Sequence, residues 1–382
     1  MAFSSVRREN VGWIDVLRIL ACFMVVFSHC CDGFVAQFDN NRASFLTGTL
    51  LGSLMRPSVP LFVMMTGVLL LPVGKQYTLR QFYKKRLGRI AIPLVFWSLL
   101  LPVLFYFYFA NVSPQSANPV TDAAEYTVHS LLVKLYTFIF NFNTDTVPLW
   151  YLYMLIGLYL LMPILSCWLE QADKKDIKLV LNLWGVTLVL PYIKMFAPML
   201  GYQGNYGNME LLGGCDWNVY HTFYYFSGFI GYLILAYYLK TYPLDWSWKK
   251  TLAITVPMFV VGYFVTAYGY ILTQNYYPGN YAYLEIVWYF SGINVFMMTF
   301  ALFVIVQKIK CVSSPQLSAI ARLTFGVYLC HYILVFVGYD LFNIYGLPYY
   351  LRIMLMSCFA FGLSLVWVRL MYTNPYTRRL VA

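Results

Sequence analysis

The sequence predicts an all-α polytopic integral membrane protein, in which about ten transmembrane helices form one bundle with the N and C termini in the cytoplasm. Three observations support this prediction. Of the 382 residues, 61% are hydrophobic and only 11% are charged, whereas a soluble protein carries roughly 25% charged residues. Apolar runs of about 20 residues recur, and each can cross a hydrocarbon core of about 30 Å as a helix. The basic residues cluster in alternate loops.

The apolar runs are spread along the whole chain. They lie near residues 12–31, 50–72, 90–110, 148–168, 177–193, 221–239, 251–273, 285–307, 318–338 and 349–371. A shorter run at 131–142 is interrupted by Lys134, which favours a helix at the membrane interface. Because no linker or low-complexity tract interrupts the series, we expect residues 1–382 to form a single transmembrane domain.

The basic residues predict the orientation. With the N terminus in the cytosol, most of the 26 Lys and Arg residues fall in inner segments, as the positive-inside rule requires. Arg42 and Arg56 are among the few that fall in outer segments. The net charge of +11 is explained by topology and by attraction to anionic membrane lipids. The chain is therefore expected to be a multi-pass protein of the inner (cytoplasmic) membrane that binds no nucleic acid.

The first apolar run, WIDVLRILACFMVVFSHC, carries Asp15, Arg18 and His29. Eleven residues separate Arg18 from His29, about 16 Å along a helix, and both project from one face. Asp15 lies three residues before Arg18 and is placed to pair with it. Ionisable groups within the membrane usually face a bundle interior or a hydrated cavity, so we expect Arg18 and His29 to line one shared pocket. The alternatives are an ion pair at the inner interface and a histidine at headgroup level.

The second candidate segment is QFYKKRLGRIAIPLVFWS, residues 81–98. Lys85, Arg86 and Arg89 lie at the cytoplasmic start of the third span. Two arginines three residues apart on a helix suit the oxygens of a phosphate group, so these residues are candidates for binding a phosphorylated cofactor. A topology signal alone would also place basic residues here.

Two further segments carry polar and aromatic groups. Trp150 and Tyr151 open the fourth span from its outer side, where an aromatic belt is the alternative interpretation. In the ninth span, Tyr328 and His331 follow Thr324 at helical spacing and form one polar stripe. The stripe predicts either a cavity lining or a packed, hydrogen-bonded core histidine. The chain contains no G-x-x-x-x-G-K-[ST], no G-x-S-x-G and no H-E-x-x-H motif, and its four scattered histidines predict no metal site.

Together these segments resemble the membrane-bound acyltransferase-3 family, which includes O-acetyltransferases of O-antigen and of enterobacterial common antigen. The resemblance is carried by IDVLRILACFMVVFSH with its Arg-x10-His spacing, and by SVPLFVMMTGVLLL, KRLGRIAIPLVFWS, PLWYLYMLIGLYLLMPIL, FYYFSGFIGYLI and FGVYLCH. It runs along nearly the whole chain. Pro148 stands where members often have a histidine before Leu-Trp, so no role of that histidine carries over.

The resemblance implies a membrane O-acetyltransferase that moves an acetyl group from acetyl-CoA to a hydroxyl of a cell-envelope glycan or lipid-linked saccharide, without a metal. His29 would be the general base. Arg18, held by Asp15, would contact CoA or stabilise the developing oxyanion. The implied CoA-binding residues are Lys85, Arg86 and Arg89, and the candidates for acceptor binding are Trp150, Tyr151, Tyr328 and His331.

Two other classes of function stay open at the level of sequence. In a transporter or flippase of a glycan or lipid-linked intermediate, the intramembrane charges would line a pathway. A non-catalytic membrane partner in an envelope assembly would bind no acyl-CoA. The oligomeric state stays open between a monomer and a homo-oligomer.

Overall fold

The structure is a computed structural model of the chain. It describes residues 12–74, 78–140, 143–202, 225–279, 281–309, 311 and 314–382. Over these residues the fold is helical and contains no β-strand. Nine helical segments of this part of the chain are long and apolar enough to cross a membrane. The prediction of an all-α membrane bundle is therefore confirmed, while the orientation of its termini stays a prediction.

The α-helices are, in chain order, α1 (Gly12–Val35), α2 (Arg42–Leu54), α3 (Ser58–Leu70), α4 (Leu79–Phe107), α5 (Val128–Thr137), α6 (Trp150–Leu169), α7 (Lys174–Thr187), α8 (Leu190–Phe196), α9 (Ile230–Thr241), α10 (Trp248–Tyr276), α11 (Tyr281–Trp288), α12 (Ile293–Lys308), α13 (Pro315–Phe342), α14 (Tyr349–Thr373) and α15 (Pro375–Arg378).

Several predicted spans differ in detail from the observed helices. The second, 50–72, consists of α2 and α3, and the helix is interrupted at residues 55–57, where Pro57 precedes α3. The fifth, 177–193, is divided between α7 and α8. The sixth, 221–239, corresponds to the 12-residue α9, and residues 221–224 lie outside the described residues. Hydropathy measures the length of an apolar run, so it does not detect a break inside one.

Helices α1 and α13 form the centre of the bundle. They pack against each other, and α13 also contacts α4 and α14. In its most apolar 18-residue window, α13 is 78% buried by protein, whereas α10 is only 22% buried and presents most of its surface outward. A helix that is apolar all round is expected in a protein core. Thr324, Tyr328 and His331 of α13 are buried inside the bundle beside α1, where the candidate site is found.

Candidate active site

Two adjoining cavities lie beside α1 and α13. The first, of about 1280 Å³, lies at the end of the bundle where α1 begins and is lined by Arg18 and by residues of α3, α4, α6, α13 and α14. The second, of about 500 Å³, lies toward the other end of α1 and contains His29 together with residues of α3, α6, α10 and α11. We refer to them as the basic cavity and the aromatic cavity, after their lining side chains.

The basic cavity is strongly cationic. Its basic lining residues are Arg18, Lys84, Lys85, Arg86, Arg89, Arg322, Arg378 and Arg379. None of the described lining residues is Asp or Glu. Charges of one sign on low-dielectric walls focus their field into a cleft and raise the local concentration of oppositely charged ligands. The cavity is therefore suited to a small polyanion.

The start of α4 supplies the densest part of this charge. Thr78 caps the helix by accepting from Gln81 N at 3.2 Å, and the Gln81 side chain accepts in return from Thr78 N at 3.0 Å. With the helix fixed at this start, Arg86 and Arg89 lie one turn apart on the same face. The buried Nε of Arg86 has no hydrogen-bond partner among the described residues. Because buried donors are nearly always satisfied, this atom indicates a place for an anionic ligand.

Arg18 enters the basic cavity from α1. Its guanidinium lies 3.9 Å from the Asp15 carboxylate, which also accepts a hydrogen bond of 2.6 Å from the Ser318 hydroxyl. The expected pairing of Asp15 with Arg18 is thus present as a loose ion pair. Asp15 lines neither cavity. The geometry therefore gives Asp15 a positioning role between α1 and α13 rather than contact with a reacting atom.

His29 forms a close pair with an acid that the sequence interpretation did not include. Its Nδ1 lies 2.9 Å from the Asp32 carboxylate, three residues further along α1. An ionised carboxylate can only accept, so this hydrogen bond places a proton on Nδ1 and leaves the Nε2 lone pair available as a base. Both residues line the aromatic cavity. The H-x-x-D spacing on one helix face is the signal that could have identified Asp32.

The aromatic cavity combines ring faces with a few polar groups. Trp150 and Phe290 stack with ring centroids 5.4 Å apart, and Trp288 contributes another indole. Besides His29 and Asp32, the polar lining includes Ser28, Ser58, Arg56 and Glu285. A mostly apolar pocket with a few convergent polar groups is typical of a site for a small organic ligand.

Arg56 is a further residue whose environment the sequence did not predict. Its placement in an outer segment stays a prediction; in the structure it lies in the break between α2 and α3 and lines the aromatic cavity. Its Nε and one terminal nitrogen donate to the Trp288 carbonyl oxygen at 2.9 and 2.6 Å, and its guanidinium lies 4.2 Å from the Phe290 ring centroid. The carbonyl and the ring face hold the guanidinium in a fixed orientation.

A partition separates the two cavities. Val25, Val59, Tyr151 and Tyr328 line both of them. The Tyr151 and Tyr328 rings meet edge to face with centroids 5.7 Å apart, and the Tyr328 hydroxyl donates to the Pro148 carbonyl oxygen. Arg18 and His29 project from the same helix and line adjoining cavities, with side chains from three other helices between them. The expectation that they share one pocket stays a prediction.

The 3-10 helix Thr144–Leu149, which precedes α6 and carries Pro148, is held by a buried ion pair. Asp145, which is fully buried, accepts from the Lys134 ammonium and from the Tyr126 hydroxyl, each at 2.7 Å. Burial and the Asp145 carboxylate both raise the pKa of Tyr126, so its phenol keeps the proton that it donates. This network positions the backbone that accepts the Tyr328 hydrogen bond.

The remaining predicted site residues fall in different places. Lys85 lines the basic cavity, and Trp150 lines the aromatic cavity. His331 lines neither, because it is fully buried with its Nδ1 2.7 Å from the Tyr328 carbonyl oxygen. Its ring packs 5.4 Å from that of His29. Of the two interpretations left open for His331, the structure matches the packed core histidine, and the direct substrate contact expected of it is not present.

Comparison with known proteins gives one match. A family model described as an acyltransferase domain matches residues 11–372, which is nearly the whole chain. No curated protein and no solved structure matches the chain. Across the described residues there is also no group of three His, Cys, Asp or Glu side chains that could hold a metal ion.

Proposed function

The chain belongs to the membrane acyltransferase-3 family and is a membrane acyltransferase, and from this premise we propose that it transfers an acetyl group from acetyl-CoA to a hydroxyl of a cell-envelope glycan or lipid-linked saccharide. The donor binds in the basic cavity, which faces the cytosol. The acceptor binds in the aromatic cavity on the opposite side of an inner (cytoplasmic) membrane. The observation that carries the proposal is the His29–Asp32 pair, placed in a cavity that adjoins one whose charged lining residues, among those described, are all basic.

Charge supports CoA as the donor. CoA carries a pyrophosphate and a ribose phosphate, and Lys85, Arg86 and Arg89 offer charge-assisted hydrogen bonds to such groups. Arg18 lies deeper along α1. It is about 16 Å along the helix from His29, too far for its guanidinium to reach an oxyanion formed beside that imidazole. Arg18 is therefore assigned to donor binding, and the alternative of oxyanion stabilisation is dropped.

Shape and ring content support a saccharide acceptor. The Trp150 and Phe290 faces can pack against the apolar C–H face of a sugar ring, while the carboxylates of Asp32 and Glu285 accept from hydroxyl groups. A cavity of about 500 Å³ falls within the range of roughly 300–1,000 Å³ that is typical of small-ligand sites. This cavity also contains the imidazole that must reach the reacting hydroxyl.

The chemistry follows from the His29–Asp32 geometry. The acceptor oxygen attacks the thioester carbonyl carbon while His29 Nε2 takes the hydroxyl proton. Asp32, bonded to Nδ1, holds the ring in the required tautomer and stabilises the imidazolium that forms, as a triad aspartate does. The tetrahedral intermediate then expels the CoA thiolate. The new C–O ester bond replaces the C–S bond, and the thiolate takes up the proton that His29 released.

The partition adds a conformational step. The thioester must pass Val25, Val59, Tyr151 and Tyr328 to meet the acceptor, so the Tyr328 hydroxyl must leave the Pro148 carbonyl oxygen, or the two rings must move apart. Such gating keeps water and the reactive thioester separated until the acceptor is in place. A small acyl group passes such a partition more easily than a long chain, which supports acetyl as the group transferred.

The experiment that tests the proposal is transfer of isotopically labelled acetyl from acetyl-CoA to envelope glycans by the purified protein. His29→Gln is expected to abolish the mass shift on the glycan, while CoA binding persists. His129→Gln is the matched control, because His129 is an exposed histidine on α5. Transfer by His29→Gln at the wild-type rate would remove His29 as the base.

A transporter is the second candidate, because two cavities placed toward opposite ends of α1 and divided by a thin partition also suit alternating access. The same experiment separates the two. A transporter moves its saccharide without changing its mass, whereas an acyltransferase adds one acetyl group for each transfer.

A further inference from the structure

After α14 the chain turns back into the bundle. Asn374 caps the short helix α15 by accepting from Tyr376 N at 2.9 Å, and the Thr377 hydroxyl donates to the Met371 carbonyl oxygen at 2.6 Å. These two bonds close a tight reversal at the end of the bundle where α1 begins. We refer to residues 374–381 as the return segment.

The return segment is docked rather than loosely attached. Val381 is fully buried, and it packs where α13 has no side chain, because a Cβ built on Gly326 would lie 2.9 Å from the Val381 Cβ. The Leu380 carbonyl oxygen accepts a hydrogen bond of 3.0 Å from the indole nitrogen of Trp97, a fully buried residue of α4. Residues of α4 and α13 are therefore shaped to receive this segment.

Docking places two cations on the wall of the basic cavity. Arg378 and Arg379 precede the anchored residues and both line that cavity. The Arg378 guanidinium lies 4.5 Å from the ring centroid of Tyr372 and donates to its hydroxyl at 3.2 Å. This contact restricts the side chain and directs it along the cavity wall, so a ligand would lose less conformational entropy in binding to it.

We propose that the return segment is part of the donor site, and that Arg378 and Arg379 are ligands for the phosphate groups of the CoA donor. The inference rests on the proposed function in taking CoA as the donor. CoA carries phosphate at two separate positions, on the ribose and in the pyrophosphate bridge. The cations of α4 all lie on one helix, and the return segment adds two cations from a separate element to those of Arg18 and Arg322, which suits a ligand with phosphate at two positions.

The test is the affinity of the full-length purified protein for CoA, measured by calorimetry. Arg378→Gln with Arg379→Gln is expected to weaken CoA binding by about tenfold or more. Lys249→Gln with Lys250→Gln is the matched control, because it removes two positive charges from the start of α10, outside the cavity lining. Its affinity is expected to stay within about twofold of wild type.

A second variant tests the anchoring. Val381→Asp keeps both arginines but places a carboxylate where an apolar side chain is buried, so it is expected to release the segment and weaken CoA binding as strongly as the double arginine variant. If Val381→Asp fails to fold, the CoA affinity of Arg378→Gln with Arg379→Gln decides the proposal alone. Both arginine side chains are exposed, so their loss leaves the core intact.

The outcomes separate this inference from the proposed function. Wild-type affinity in the double arginine variant overturns the inference and leaves the acyltransferase proposal intact. Absence of CoA binding by the wild-type protein overturns the assignment of the donor itself.

Discussion

The basic cavity and the aromatic cavity both use α1 and α13 and share one partition, yet their polar groups differ in kind. The described lining of the basic cavity carries cations from α1, α4, α13 and the return segment, and no acid. The aromatic cavity mixes two carboxylates, one imidazole and one arginine that is held by a carbonyl. The first arrangement suits recognition of an anion through the field of many groups, while the second suits the transfer of one proton at one atom, as the proposed function requires.

The same contrast appears within α1, where an acid lies three residues from the main polar residue of each cavity, although only Asp32 itself lines a cavity. Asp15 lies 3.9 Å from the Arg18 guanidinium, which is an ion pair without a hydrogen bond. Asp32 lies 2.9 Å from His29 Nδ1, which is a hydrogen bond that determines the tautomer. Equal sequence spacing therefore yields a loose electrostatic contact at Arg18 and a hydrogen bond at His29.

The largest expected effect is that of Asp32→Asn, compared with Asp15→Asn. Loss of the Asp32 charge removes the stabilisation of the imidazolium, so kcat should fall by about 100- to 10,000-fold with CoA affinity unchanged. Asp15→Asn should keep kcat at saturating acetyl-CoA within about threefold of wild type and should change only KM for the donor. Steady-state kinetics of both variants measures the difference, and a kcat for Asp32→Asn close to wild type would remove the distinction between the two acids.

An intermediate effect is expected in the basic cavity for Arg86→Gln combined with Arg89→Gln. Two charge-assisted contacts are lost, so CoA binding should weaken by about 10- to 100-fold, and the loss should shrink as salt is raised. At saturating acetyl-CoA the kcat should be retained, because neither side chain reaches the aromatic cavity. Calorimetry at low and high salt measures both quantities. An unchanged affinity for CoA would show that these arginines only set the orientation of the helix in the membrane.

The smallest effect is expected at the partition. Tyr328→Phe keeps the ring but removes the hydrogen bond to the Pro148 carbonyl oxygen, so acetyl-CoA hydrolysis without acceptor should rise by about 2- to 10-fold. Tyr159→Phe is the control, because Tyr159 lines the basic cavity but not the partition. Equal hydrolysis in wild type and Tyr328→Phe would show that this bond does not hold the two cavities apart.

Much of the fold follows from local properties of the sequence. Composition and the length of the apolar runs predict a helical membrane bundle, because a segment in a bilayer must satisfy its own backbone hydrogen bonds. The break at residues 55–57 was not predicted, since Arg56 and Pro57 lie inside the apolar run 50–72 and hydropathy averages over them. That break positions Arg56 against Trp288.

The candidate site was only partly accessible from sequence. Helical spacing placed Arg18 and His29 on one face, and charge density identified Arg86 and Arg89. Asp32 could have been found from its position one turn after His29. The return segment could not have been identified from sequence. Its basic residues match the positive charge that any cytoplasmic terminus carries, and its docking depends on contacts with Trp97 and Gly326, which are distant in the chain.

The sequence by itself determined that this chain is a helical membrane protein with ionisable groups aligned along its first helix, because span length and helix periodicity are local properties of the backbone. Only the tertiary structure decided that Arg18 and His29 belong to two cavities. The partition between them is formed by Val59 of α3, Tyr151 of α6 and Tyr328 of α13 together with Val25. The meeting of these side chains depends on how distant helices pack, and no spacing within one helix contains that information.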